Sequence, residues 1–94
     1  GNFIMKFGSK GSGDGQFDDP NDLHVDSLEN IYVADTLNNR IQKFDRNGNF
    51  IMKSGKYGAG DGNFKNPHGI TLDRQGNIYV ANTGNKRIEK FSPL

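Results

Sequence analysis

The chain has 94 residues, with 32% apolar and 24% charged side chains and a formal net charge of +1 at pH 7. This length and composition fit one small domain with little apolar material for a core. The absence of cysteine excludes a disulfide framework and thiolate chemistry, and it indicates no redox compartment. No apolar run is long enough to span a bilayer and no signal-peptide pattern opens the chain, so we expect no membrane partner and assign no cellular location.

The strongest pattern is an internal repeat. Residues 1–47 align with residues 48–94 without a gap, and more than half of the aligned positions are identical, beginning with GNFIMK in both copies. The chain therefore reads as two whole repeats, 1–47 and 48–94. Such similarity fits a natural protein, a piece of a larger protein and a designed duplication.

The first repeat predicts strands in chain order. Residues 2–7 form a first, partly apolar stretch, and a glycine-rich connection follows at residues 8–20. Residues 23–26 alternate between apolar and polar side chains, as a half-buried strand does. Residues 30–34, NIYVA, form a continuous apolar run, which is typical of a strand covered on both faces. We expect this strand to lie deepest in the fold.

The end of the first repeat predicts a hairpin. Residues 40–44 form a more mixed strand, for which we expect an outer and wetter face, and the Asn-Gly pair within residues 45–48 is a hairpin signal. The second repeat returns the same order of strands and turns, and no helical period occurs. The fold class is therefore all-β, with antiparallel strands in a meander.

The sequence resembles the NHL repeat family over essentially the whole chain, twice. In the second repeat the motifs are Pro-x-Gly-Ile from Pro67, Gly-Asn-Ile-Tyr-Val-Ala from Gly76 and Asn-x-Arg-Ile from Asn85. The first repeat has Asp22 and Glu29 where the second has Gly69 and Gly76, which predicts altered turns.

The resemblance implies function as well as fold. Proteins similar to this usually form six-bladed β-propellers that act as binding platforms for protein or RNA. A minority are amidating lyases or lactonase-like hydrolases that use a metal in the central channel.

Relative to a propeller blade, the chain is circularly permuted by one strand. It starts with a fourth strand and ends with a third. Residues 2–7 therefore lack a third strand to pair with, and residues 87–91 lack a fourth. Two blades do not close a ring, because propellers typically contain four to eight. We therefore predict a six-bladed ring formed by homotrimerisation, with three-fold symmetry. The assembly strand contributes Phe3, Ile4, Met5 and Phe7, and it pairs with the strand that contains Ile88 and Phe91 of a neighbouring copy.

The charge of the two repeats is opposite in sign. The first repeat has a net charge of −3 and the second of +4. Alternating signs around a ring would favour its assembly in that order. Sequence drift between duplicated repeats is the alternative explanation.

Two arginines recur five residues after a polar acceptor. Arg40 follows Asp35, and Arg87 follows Asn82. We expect each pair to clamp the turn between the second and third strands, since an arginine fork needs only an oxygen acceptor. A ligand-facing cation is the alternative role.

His24 and His68 are the only histidines, and both lie near the strand expected to line the central channel. Three-fold symmetry would place three copies of each around the axis, which is the ligand set of an open zinc site. The alternative, which we favour, is that both are solvated or hydrogen-bonded. No nucleophile–base pair or paired carboxylate has a defensible spacing, so we expect no enzyme activity and no cofactor.

Four residues of the basic second repeat are candidates for a ligand-binding face. They are three lysines and one stacking aromatic: Lys56, Tyr57, Lys65 and Lys86. Asp18, Asp19 and Asp35 lie in the corresponding loops of the first repeat, so no continuous basic stripe forms and nucleic-acid binding is disfavoured. We expect a self-assembling scaffold, with a protein or peptide bound by the loops at residues 8–20 and 55–67.

Overall fold

The computed structural model describes residues 1–94 as two antiparallel sheets. The first sheet has the order β1-β2-β3-β4 and the second has the order β5-β6-β7. The strands are β1 Pro20–Val25, β2 Ile31–Asp35, β3 Arg40–Phe44, β4 Phe50–Ser54, β5 Pro67–Leu72, β6 Ile78–Asn82 and β7 Arg87–Phe91. All five strand pairings join strands that are consecutive along the chain, as the predicted meander requires. The structure contains no helix with the length and apolar character needed to span a membrane.

Both sheets use the same turns. Short 3₁₀ turns at Thr36–Asn38 and Thr83–Asn85 join the second and third strands of each sheet. The DRNG hairpin is confirmed, because the backbone N–H of Gly48 donates to the carbonyl of Asp45 at 3.0 Å and β3 pairs with β4. Successive connections along the chain lie at opposite ends of each sheet. The 3₁₀ turns and the glycine-rich loops are therefore at one end, and the β1–β2, β3–β4 and β5–β6 turns are at the other.

The expectation of altered turns in the first repeat is wrong for the β1–β2 turn. Glu29 has φ +66° and Gly76 has φ +84°, and the N–H of each donates to the carbonyl three residues earlier, at 3.0 Å and 3.1 Å. Glutamate therefore adopts the left-handed conformation that glycine adopts in the second repeat. The turn is kept, at a cost in backbone strain.

The core lies between the two sheets. One face of β2 and β3 packs against the facing side of β5 and β6, with Phe64 of the preceding loop. The members of this cluster are Tyr32, Ala34, Ile41, Phe64, Ile70, Ile78 and Val80. NIYVA is thus buried, as predicted for a strand with cover on both faces.

Two other expectations require correction. β3 is buried rather than wet, because β4 flanks it, the second sheet covers one face and loop side chains cover the other. β1 and β5 begin three residues earlier than the alternation suggested, at Pro20 and Pro67. The second sheet has three strands, as the predicted permutation by one strand requires, because residues 1–9 join no sheet within a single chain.

Candidate functional site

The contact between the two sheets combines apolar packing with polar bonds. Ile41 is 1% exposed and Ile70 is 5% exposed within the shared core. The N–H of Ile70 donates to Asp22 Oδ2 at 3.0 Å, and Thr36 Oγ1 donates to the carbonyl of Pro67 at 2.6 Å. This inter-sheet contact shows how one repeat packs against the next.

Ile41 lies on the face of the first sheet that the second sheet covers. The equivalent face of the second sheet is not covered by another sheet. Ile88, at the equivalent position, is 68% exposed. An open depression of about 400 Å³ lies beside it, and its lining includes Tyr79 and Ala81, the equivalents of buried Tyr32 and Ala34. We call Tyr79, Ala81 and Ile88 the open face of the second sheet.

The opposite side of the first sheet is open as well. Leu23 occupies the position equivalent to Ile70 but is 58% exposed, and Val25 beside it is also exposed. Phe17, the equivalent of fully buried Phe64, is only partly buried. We call Leu23 and Val25 the open face of the first sheet. The two open faces correspond to the two halves of the inter-sheet contact.

The predicted assembly residues belong to the amino-terminal segment and to β7. Phe3, Ile4 and Met5 are exposed and outside any sheet. Phe7 instead packs against Phe44 of its own first sheet, with ring centroids 5.1 Å apart.

The strand expected to receive this segment has a free edge. β7 carries exposed Ile88 and half-buried Phe91, and it pairs only with β6. In the first sheet β4 occupies the corresponding position beside β3. The free edge of β7 is therefore a fourth-strand position without its strand.

Arg40 and Asp35 form a buried ion pair. The distance from Nε to Oδ2 is 2.8 Å, and both side chains are inaccessible to solvent or nearly so. The guanidinium also donates to the carbonyls of Ser12, Gly13 and Gln16 at 2.8–3.0 Å. Arg40 thus contacts Asp35 and also holds the glycine-rich loop against the sheet. Its guanidinium supplies hydrogen-bond donors to loop carbonyls that would otherwise lack them.

The predicted contact between Arg87 and Asn82 is wrong. Arg87 Nη2 contacts Glu89 Oε1 at 3.3 Å, and Asn82 Nδ2 donates to the other oxygen of Glu89 at 2.8 Å. In the second sheet the carboxylate belongs to Glu89 of the third strand, because Asn82 occupies the position of Asp35. Arg87 Nε is consequently buried without an acceptor.

Each of the two histidine side chains has one hydrogen-bond partner within the chain. His68 Nδ1 lies 2.8 Å from the carbonyl of Asn66 and the side chain is exposed. His24 is half-buried, and its Nδ1 lies 3.5 Å from Thr71 Oγ1 of the second sheet. No group of three histidine or carboxylate side chains is arranged to hold a metal ion in the single chain.

Contacts connect the loop and the turn that carry the ligand-face candidates. Lys65 Nζ lies 5.7 Å from the centroid of the Tyr57 ring, and the carbonyl of Lys65 accepts from Gly84 in the turn that precedes Lys86. Lys56 is exposed next to Tyr57 in the chain. All four are at the end of the second sheet that carries the glycine-rich loop.

Two structural residues were not singled out from the sequence. Phe64 is fully buried between the sheets, and Gln42 is buried where it bonds both the glycine-rich loop and Asp35. A signal for Phe64 was present, because Phe17 and Phe64 recur two residues after Gly-Asp-Gly in each repeat. For Gln42 no such signal exists, since the second repeat has Glu89 there.

Comparison with known protein families gives a match that covers both repeats. The family model described as NHL repeat matches residues 17–44 and 64–91, which together are more than half of the chain. Each matched range begins at Phe17 or Phe64 and ends with the third strand of a sheet.

Curated relatives match about half of this chain. Protein lin-41 of Caenorhabditis elegans is 47% identical over 45 residues, which are 48% of this chain and 4% of that protein. Protein brain tumor of Drosophila melanogaster is 46% identical over 46 residues, 49% of this chain and 4% of that protein. E3 ubiquitin-protein ligase TRIM32 of Mus musculus is 48% identical over 46 residues, 49% of this chain and 7% of that protein. The similarity thus covers less than a tenth of each relative.

Proposed function

The chain belongs to the NHL repeat family, and on this premise we propose that it is a non-catalytic binding module whose two sheets are propeller blades that complete a ring by self-association. Three copies supply the six blades usual for the family. The open face of the second sheet in one copy receives the open face of the first sheet in the next. Residues 2–7 of that next copy add to the free edge of β7 as its fourth strand.

The observation that carries this proposal is the difference in burial between equivalent residues. Ile41 and Ile70 are buried against the neighbouring repeat, whereas their equivalents Ile88 and Leu23 are exposed at opposite ends of the molecule. Burying a side chain of this size stabilises an assembly by about 1.5–3 kcal/mol. Because the two open faces differ, the contact between copies is head-to-tail, and rotation about three-fold symmetry closes it into a ring.

The buried charged groups support a structural rather than a catalytic role. Asp35 accepts hydrogen bonds from Arg40, Gln42, Asn38 and the backbone of Asp18. Its carboxylate is therefore occupied by the fold itself. Ligands contact the glycine-rich loops instead, where Lys65 and Tyr57 present a cation beside an aromatic ring. A protein or peptide is the proposed partner at this end of the ring.

The test of self-association is the native mass in solution, measured by light scattering behind a sizing column. We expect a mass near three times the chain mass of 10.4 kDa. Ile88→Lys and Leu23→Lys should each reduce the mass, because each places a charge at the apolar contact. Leu28→Lys is the matched control, since Leu28 is an exposed leucine in the β1–β2 turn outside both open faces, and it should leave the mass unchanged.

Two results would contradict the proposal. A wild-type mass of one chain at all concentrations would mean that the open faces do not bind each other. An assembled wild type whose mass is unaffected by Ile88→Lys and Leu23→Lys would mean that the copies associate through another surface.

A further inference from the structure

Resting on the proposed self-association, we infer that Asp61 of one copy forms an ion pair with Lys6 of the next, and that this pair fixes the register of the added strand beside β7. An equivalent ion pair already exists inside the chain, between Lys53 and Asp14.

The existing pair joins β4 to the glycine-rich loop of the first repeat. Lys53 Nζ lies 2.7 Å from Asp14 Oδ1, and both side chains are about half exposed. Lys53 lies opposite Gln42 of β3, whose side chain accepts from the N–H of Gly15 in the same loop. The lysine of the fourth strand therefore reaches the loop that precedes the first strand of the same sheet.

Both members of this pair recur at equivalent positions. Lys6 corresponds to Lys53, within the shared GNFIMK, and Asp61 corresponds to Asp14, within the shared Gly-Asp-Gly. The loop surrounding Asp61 is built in the same way, because Glu89 accepts from the N–H of Gly62 as Gln42 does from Gly15. The second sheet therefore presents its aspartate in the same local frame.

Within one chain this second pair is not made. Lys6 and Asp61 are both exposed, and neither takes part in any of the four ion pairs of the structure. Lys6 precedes the first sheet, whereas Asp61 precedes the second, whose fourth-strand position is empty. A neighbouring copy that fills this position brings its own Lys6 to Asp61. A slip of the added strand by one residue would turn the lysine to the other face and break the pair.

Charge reversal tests the pair in the full-length chain. Lys6→Glu and Asp61→Lys each create a like-charge contact between copies, whereas the double variant restores an attractive one with the signs exchanged. We expect each single variant to weaken association by about two- to five-fold per junction, the range for an exposed pair. The double variant should associate as the wild type does. Dissociation constants are measured by sedimentation at low salt, and the differences should shrink at about 1 M salt.

The control is Arg74→Glu in the β5–β6 turn, which changes the net charge by the same amount as Lys6→Glu and should leave association unchanged. Unfolding of each variant at a concentration below association shows whether the exposed substitutions alter the fold. Single variants that associate like the wild type, or a double variant no better than the singles, would overturn the ion pair alone. A wild type that stays monomeric at every concentration would overturn the proposed self-association and this pair together.

Discussion

Glu29 shows how one residue can cost stability without changing the fold. Its φ of +66° lies in the region that disfavours side chains, and the strain is about 1–2 kcal/mol. Its carboxylate contacts Arg46 at 3.3 Å, but both side chains are largely exposed, so this pair offsets at most about 1 kcal/mol. Strain is the larger effect.

We therefore expect Glu29→Gly to raise the free energy of unfolding by about 0.5 kcal/mol, since the glycine's extra freedom in the unfolded chain cancels part of the relief. Gly76→Glu is the matched reverse substitution and should lower the free energy by about 1 kcal/mol. Urea unfolding at one fixed protein concentration measures both, because association would otherwise change the apparent stability. A Glu29→Gly variant less stable than the wild type would show that the Arg46 contact outweighs the strain.

The sequence predicted where the arginine side chains occur, but not which side chains they contact. The recurrence of Arg40 and Arg87 indicated an arginine at each turn, but the partner depends on where the nearest carboxylate lies. In the second sheet the carboxylate is at Glu89 instead of position 82, and it also serves the loop backbone at Gly62. A pattern of residues five apart along the chain does not contain that cross-strand information.

Most strands and turns could be predicted, because NIYVA and the hairpin at residues 45–48 are local patterns and the repeat is directly visible in the sequence. The burial of β3 could not be, since its composition is mixed and its cover comes from β4, from the second sheet and from a loop distant in sequence. The same physical reason makes β7 wetter than β3. Equivalent strands differ because only one of them has neighbours on every side.

Residues 1–6 lie outside both sheets of the single chain. They are exposed and pair with nothing in the single chain, whereas Phe7 packs against Phe44. A chain lacking residues 1–6 should therefore keep its two sheets, with a circular dichroism spectrum and a monomer stability close to those of the full chain. It should fail to assemble, because the free edge of β7 receives no strand.

The matched control for this truncation is a chain with Phe3→Ser and Ile4→Ser, which keeps the backbone that pairs with β7 but removes apolar side chains. We expect weakened rather than abolished association, measured as native mass against concentration. A truncated chain with the same mass as the full chain would show that the amino-terminal segment takes no part in the contact.

Across the whole molecule, three hairpins at one end of the sheets use the same carboxylate arrangement. Asp26, Asp45 and Asp73 each accept from the backbone N–H groups two and four residues later at 2.9–3.0 Å. Burial opposes the charge of Asp26, but hydrogen bonds from Asn30, Leu28 and Tyr32 outweigh it and hold its pKa below 3.8. Hydrogen bonds from Asn49 lower the pKa of Asp45, and those from Asn77 lower the pKa of Asp73 despite some desolvation.

These lowered pKa values give the acid response a definite sign. A carboxylate whose pKa is lower in the folded state contributes stability above its unfolded pKa and loses it as pH falls through the folded one. We therefore expect the free energy of unfolding to hold steady at neutral pH and to decrease as the pH falls below about 4, where the carboxylates of the three hairpins become protonated. Asp73→Asn keeps an oxygen acceptor for the backbone but does not titrate, so its decline should be shallower. Denaturant unfolding between pH 2 and pH 7 at two protein concentrations measures both slopes and separates folding from association. An equally steep decline in Asp73→Asn would mean that the acid sensitivity arises elsewhere than in these turns.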